Sequence, residues 1–220
     1  MAERSLKPVI EKLEKLFSMF NQRFYNGELQ TPVITISPDT TKGAYGWCTA
    51  WRAWTDKEPK SFVDMTPEEL ETLKTDGYYE INFCAEHIAR NFEEIAETML
   101  HEMVHLYNLQ IGVQDTSRNG FYHNKKYADA ATVHGLEVEK TKKYGYSKTT
   151  LNEEAKNYVS GLSDKKFELY RRSAPKVSGG SKAKSSSRKY VCPNCGCIIR
   201  ATKEVHIICG ECEVEFVEAE

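Results

Sequence analysis

The 220-residue sequence contains no apolar run near the roughly 18 residues that a membrane-spanning helix needs, so neither a transmembrane segment nor a membrane partner is expected. A secretory start is also missing. In residues 1–20 Lys and Glu interrupt Leu, Ile and Phe at short intervals, which reads as an amphipathic helix and a cytoplasmic location. A disulfide framework is disfavoured, because the seven cysteines are odd in number and five crowd into the last 29 residues, a distribution that suits metal ligation better. Acid is absent from residues 171–189, which hold seven cations, six serines and a Gly-Gly pair. Such a stretch buries too little surface to offset chain entropy and reads as a flexible basic linker. It separates a main domain, residues 1–170, from a module at 190–220 that is too small to hold together without a metal or crosslink.

Within the main domain, Leu6, Ile10, Leu13, Phe17, Phe20 and Phe24 recur at helical spacing up to a stop at Asn26-Gly27. The β-branched and aromatic runs at 32–36, 45–51 and 78–83 read as strands. Asn91 is a fitting cap for a long helix to about Ile111; a polar turn over 112–120 and a second helix from about Phe121 to Gly135 follow. Helices and strands mixed without regular alternation give an α+β class.

The most informative residues are His101-Glu102-Met103-Val104-His105. Residues four apart on a helix stand one above the other, so both imidazoles can share one cation, while Glu102 flanks it as a base for water. Phe92, Ile95, Met99, Met103 and Val104 belong to a wide apolar arc, leaving the histidines on a polar stripe. A catalytic zinc takes three protein ligands and keeps one position for solvent. His123, after the polar turn, is the preferred third ligand; His134 competes, and Glu137 or Glu139 would be the carboxylate option. An extended motif with Gly at 108 and His at 111 is excluded by Asn108 and Ile111. His87 is read as structural, Cys48 and Cys84 as buried small hydrophobes, and Trp47 and Trp51 as strand residues packed on the core.

These residues resemble the SprT-like family of zinc metalloproteases, which includes the Spartan proteases. The resemblance runs through Phe20-Asn21, Phe24 to Leu29, Pro32 to Ile36, Tyr45-Gly46-Trp47, the His-Glu-Met-Val-His helix and the block Gly120 to Tyr127, with a basic linker and a four-cysteine module completing the order. It implies a small zincin-like domain of helices packed on a short β-sheet, with zinc on His101, His105 and His123 and Glu102 as the catalytic base. Tyr122 and Asn124 flank His123 where many members carry Gly.

In the module, Cys192-Pro193-Asn194-Cys195 and Cys209-Gly210-Glu211-Cys212 form two knuckles thirteen residues apart, a zinc-ribbon pattern in which Cys192, Cys195, Cys209 and Cys212 hold a second, structural zinc. Cys197 and His206 are read as bystanders. Two cations against six acids make residues 190–220 a poor phosphate binder, so DNA contact is assigned to the linker and to Arg118–Lys148, where seven Lys/Arg face three acids. The expected activity is that of a zinc-dependent endopeptidase acting on DNA-associated or DNA-crosslinked proteins, as the resemblance implies. In it, Glu102 is general base toward water activated by the metal, and an additional oxyanion donor comes from Tyr107, Tyr122, Tyr127 or His134. The alternative is a non-enzymatic, zinc-stabilised adaptor that binds DNA or protein. Hydrolysis of a non-protein amide would use the same ligands.

Overall fold

The structure is a computed structural model that describes residues 4–38, 43–58, 60–72, 75–163, 165–167, 169–172 and 187–219. It divides into two compact units, Met1–Ser173 and Ala174–Glu220. Most of the linker read from the sequence, residues 173–186, lies outside the described residues. Arg188 and Lys189, assigned to that linker, instead open the first strand of the second unit.

In chain order the first unit contains α1 (Lys7–Phe24), β1 (Val33–Ser37), β2 (Gly46–Cys48), α2 (Pro67–Thr72), β3 (Glu80–Cys84), α3 (Phe92–Gln110), β4 (Thr116–Ser117), β5 (Tyr122–His123), α4 (Lys125–Val133), β6 (Leu136–Thr141), β7 (Gly145–Leu151) and α5 (Glu153–Ser160). The α+β reading holds. One sheet runs β1-β3-β2, with β1 parallel and β2 antiparallel to β3; the other runs β4-β5-β7-β6. Central to the unit is α3, which touches α1, α4, α5, β2 and β7. Its start is fixed by a capping box: the Asn91 side chain accepts from Glu94 N–H, and the Glu94 carboxylate accepts from Asn91 N–H.

The core gathers the inward faces of these elements. Leu13, Phe17 and Phe20 of α1 meet Ile95, Met99, Leu100 and Met103 of α3 and Ile81 and Phe83 of β3, all nearly or fully excluded from solvent. Each such side chain is worth about 1.5–3 kcal/mol on burial, which holds α3 in place and hence the histidines on its polar stripe. No helix among the described residues is long and apolar enough to cross a membrane.

Two sequence-based expectations shift, and one segment without an assigned element gains one. The predicted helix from Phe121 starts only at Lys125, because Tyr122 and His123 pair as β5 and the Asn124 side chain caps the helix by accepting from Lys126 and Tyr127 N–H. The lysine-rich segment after Gly135 is a hairpin, β6–β7, that sequence analysis left unassigned. Trp51, expected in the core, is 66% exposed, since β2 ends at Cys48 and the chain turns outward.

The second unit is a three-stranded antiparallel sheet of β8 (Arg188–Val191), β9 (Ile198–Ala201) and β10 (Val217–Ala219), ordered β10-β8-β9. Among the described residues its core is Tyr190, Cys192, Cys209 and Phe216, with a few half-buried neighbours. So small a core leaves the fold dependent on what the cysteines hold.

Candidate metal centre

His101 and His105 project from one face of α3, a turn apart. The third imidazole arrives from another element. β5 pairs with β7 in parallel, His123 opposite Gly145, and His123 N–H donates to Tyr144 O at 3.0 Å. Gly145 makes this approach possible: its φ is +69°, and a Cβ there would stand 2.1 Å from His123 O. As a result His123 Nε2 lies 3.1 Å from His101 Nε2 and 3.0 Å from His105 Nε2.

What stands behind the rings decides what they present in front. Asp115, 6% exposed, accepts from His105 Nδ1–H at 2.7 Å and from Asn108 Nδ2 at 3.0 Å. Thr149 Oγ1 lies 3.1 Å from His101 Nδ1 and donates to Glu97 Oε1 at 3.3 Å, so its oxygen accepts from His101. Both α3 histidines therefore carry their proton on Nδ1, and their Nε2 lone pairs point at His123. With His123 Nε2 beside them, the three ring nitrogens form a donor set that one cation can share. Burial holds His101 well below its usual pKa and His123 down to about 4, each reinforced by neighbouring histidine, so both are neutral near pH 7. Burial also works against charge on His105, but the hydrogen bond and charge of Asp115 outweigh it and raise its pKa. A zinc–nitrogen distance of about 2.05 Å corresponds to a tetrahedral edge of about 3.3 Å, within a few tenths of the observed separations. The donor set fits a tetrahedral metal. Among the described residues no fourth Cys, Asp, Glu or His joins the cluster, so one coordination position is left to solvent or ligand.

Glu102 is beside this cluster and 5% exposed. Burial pushes its carboxyl up to about 7, against the opposing pull of His105 and of a hydrogen bond from Cys48 N–H. Gly46 passes directly over it; a Cβ there would be 2.6 Å from Asn82 O and 3.5 Å from Glu102 Oε1. A cleft of about 530 Å³ opens beside it, lined by His101, Glu102 and His123 together with Tyr45, Phe121 and Tyr144.

The oxyanion donors expected from sequence are not in this cleft. Tyr127 is fully buried beneath the three imidazoles, its ring centre 4.6–5.0 Å from theirs and its hydroxyl directed to His101 O. His134 donates from Nδ1 to Phe24 O at 2.7 Å and stacks on Tyr25, a packing role that removes it as a ligand. Tyr107 packs against Tyr25 and His134, and Tyr122 lies under Arg118. Glu137 and Glu139, on β6, are outside the metal-ligating group. Asp115, Thr149 and Glu97 were missed. Asp115 had a signal, as the one acid in the turn between the motif helix and His123; Thr149 had none.

In the second unit the four knuckle sulfurs lie within 4.8 Å of one another, with Cys195 Sγ 3.8 Å from Cys209 Sγ. That equals the edge of a tetrahedron with zinc–sulfur bonds of about 2.3 Å. Both knuckles turn through main-chain bonds, Gly196 N–H to Cys192 O and Glu213 N–H to Cys209 O, and N–H groups led by that of Cys195 draw the Cys192 thiol down to about 7. Cys197 is exposed, and His206 is turned away to Glu215 at 2.8 Å.

A mixed α+β unit in which a helical His-Glu-x-x-His and a third histidine can hold one metal ion is a metalloprotease-like domain, and the separate cysteine cluster has the form of a zinc ribbon. The chain belongs to the SprT-like family, whose model matches residues 13–144. No curated protein and no solved structure matches it.

Proposed function

We propose that the protein is a zinc-dependent endopeptidase that acts on DNA-associated or DNA-crosslinked proteins, with a second zinc holding the ribbon. The observation that carries this reading is the buried carboxyl of Glu102 next to three histidines whose Nε2 atoms converge, His123 lying 3.1 Å from His101 and 3.0 Å from His105. Zinc bound to His101, His105 and His123 supplies a Lewis acid that polarises a carbonyl and makes water easier to deprotonate. The remaining work falls to side chains of this chain. Asp115 and Thr149 keep His105 and His101 in the ligating tautomer. Glu102, buried beside the histidines, is placed to take a proton from the attacking water and return it to the leaving amine.

A peptide, in preference to a small amide, is supported by β2. In its antiparallel pairing with β3, Thr49 N–H donates to Glu80 O and Cys84 N–H to Tyr45 O. The alternate residues Gly46 and Cys48 therefore turn their main-chain groups to the free edge, where Cys48 N–H already meets Glu102. An extended chain can pair there. DNA contact is supported by the β6–β7 hairpin, where Lys140 lies over Tyr146 and Lys143 over Tyr144, next to the cleft.

Cleavage of a DNA-bound protein, with and without DNA, tests the whole proposal. Glu102→Gln should keep about two zinc ions per chain and abolish cleavage; undiminished cleavage overturns the mechanism. Neutralising Lys140, Lys142 and Lys143 together should weaken DNA binding and flatten its salt dependence; an unchanged slope removes the hairpin from the interface.

A further inference from the structure

The cleft contains a feature that the metal chemistry does not use. Tyr45 is 51% exposed, so it adds little to the core, yet its ring is gripped. The Arg90 guanidinium lies 3.9 Å over its face, and the His87 ring meets it edge-on at 4.9 Å. Arg90 is itself fastened, donating to His87 O at 3.0 Å, Glu94 O at 3.3 Å and Thr98 Oγ1 at 2.9 Å. An exposed aromatic ring held this firmly has lost its conformational entropy before any ligand arrives. Its place is set by the next residue: Gly46 lies against the Glu102 carboxylate, so Tyr45 is one residue from the general base.

The same cleft is lined by two more exposed rings, Phe121 at 68% and Tyr144 at 41%. Of the charged groups that line the cleft, Lys148 is engaged with Glu139 and Glu97 with the Thr149 hydroxyl. With Lys143 over Tyr144 and Arg90 over Tyr45, the exposed Phe121 ring and the uncovered part of Tyr45 are the apolar surface the cleft offers a ligand, and an apolar side chain next to the reacting bond is what would cover it.

Building on the peptidase reading, we propose that Tyr45, braced by Arg90, forms one wall of a subsite that selects a large aromatic or aliphatic residue adjacent to the cleaved bond. Tyr45 touches the substrate; Arg90 acts through Tyr45 and is a positioning residue.

The test uses two unstructured Gly/Ser peptides that differ only in a single central Phe or Ala. Cleavage by the zinc-loaded full chain and binding to its Glu102→Gln form are measured for both. The inference expects cutting beside Phe with a kcat/KM roughly tenfold or more above that of the Ala peptide, and the same preference in binding. Tyr45→Ala should bring the Phe-to-Ala ratio close to one, and Arg90→Gln should lower it part of the way. A ratio near one in the wild type, or a ratio preserved in Tyr45→Ala, overturns the subsite. Selective binding of the Phe peptide with neither peptide cut would instead sink the peptidase reading and leave the subsite standing.

Discussion

The Glu102 carboxyl provides a test of the site that requires no substrate. In the metal-free protein its pKa is raised from 4.5 to about 7, chiefly by burial, so the folded state holds a proton that the unfolded chain gives up between those values. With more protons bound in the native state, stability falls as pH rises through this window. The 2.5-unit difference is worth about 3 kcal/mol, and at 5% exposure little of it is screened by solvent. Glu102→Gln removes the titration. The metal-free variant should match the wild type near pH 4.5 and exceed it by about 3 kcal/mol at pH 8. Urea unfolding followed by tryptophan fluorescence measures this cleanly, because Trp47, Trp51 and Trp54 all belong to the first unit and the ribbon is silent. With zinc bound, a nearby cation favours the carboxylate and the advantage should shrink. A pH-independent difference, or a variant less stable than wild type at pH 8, would show that Glu102 is not a buried, desolvated acid.

Asp115→Asn keeps the shape of the brace behind His105 but replaces a charged acceptor with a neutral one; zinc affinity at the histidine site should fall about 10- to 100-fold in chelator competition, and unchanged affinity would remove Asp115 from the metal centre. Gly46→Ala places a methyl 2.6 Å from Asn82 O and against Thr98, so a loss of about 1–3 kcal/mol is expected in thermal or urea unfolding, with impaired cleavage; an unperturbed variant would mean β2 has room to shift.

The motif helix was readable because a four-residue spacing, an intervening Glu and an Asn cap are local properties of one segment. The same holds for the knuckles, whose sulfurs are placed by short turns each closed by its own main-chain bonds. Less local features went astray. The stretch after Phe121 carries a helical pattern, yet Tyr122 and His123 are held in β5 by pairing with β4 and β7. Tyr127 is one of four oxyanion donors between which the sequence does not choose, and burial against the imidazoles excludes it.

By itself the sequence determined that one helix presents two imidazoles and a carboxylate on neighbouring faces, and that four thiols come in two pairs, since backbone periodicity and turn chemistry act over a few residues. Only the tertiary structure decided that His123 and not His134 closes the histidine cluster, and that Asp115 and Thr149 stand behind the ligands. It also brought Tyr45 and Phe121 into one cleft. The contacts among the ligands and their braces join residues up to 48 positions apart, and side chains so distant meet only after sheets have paired and the core has packed, which no local pattern encodes.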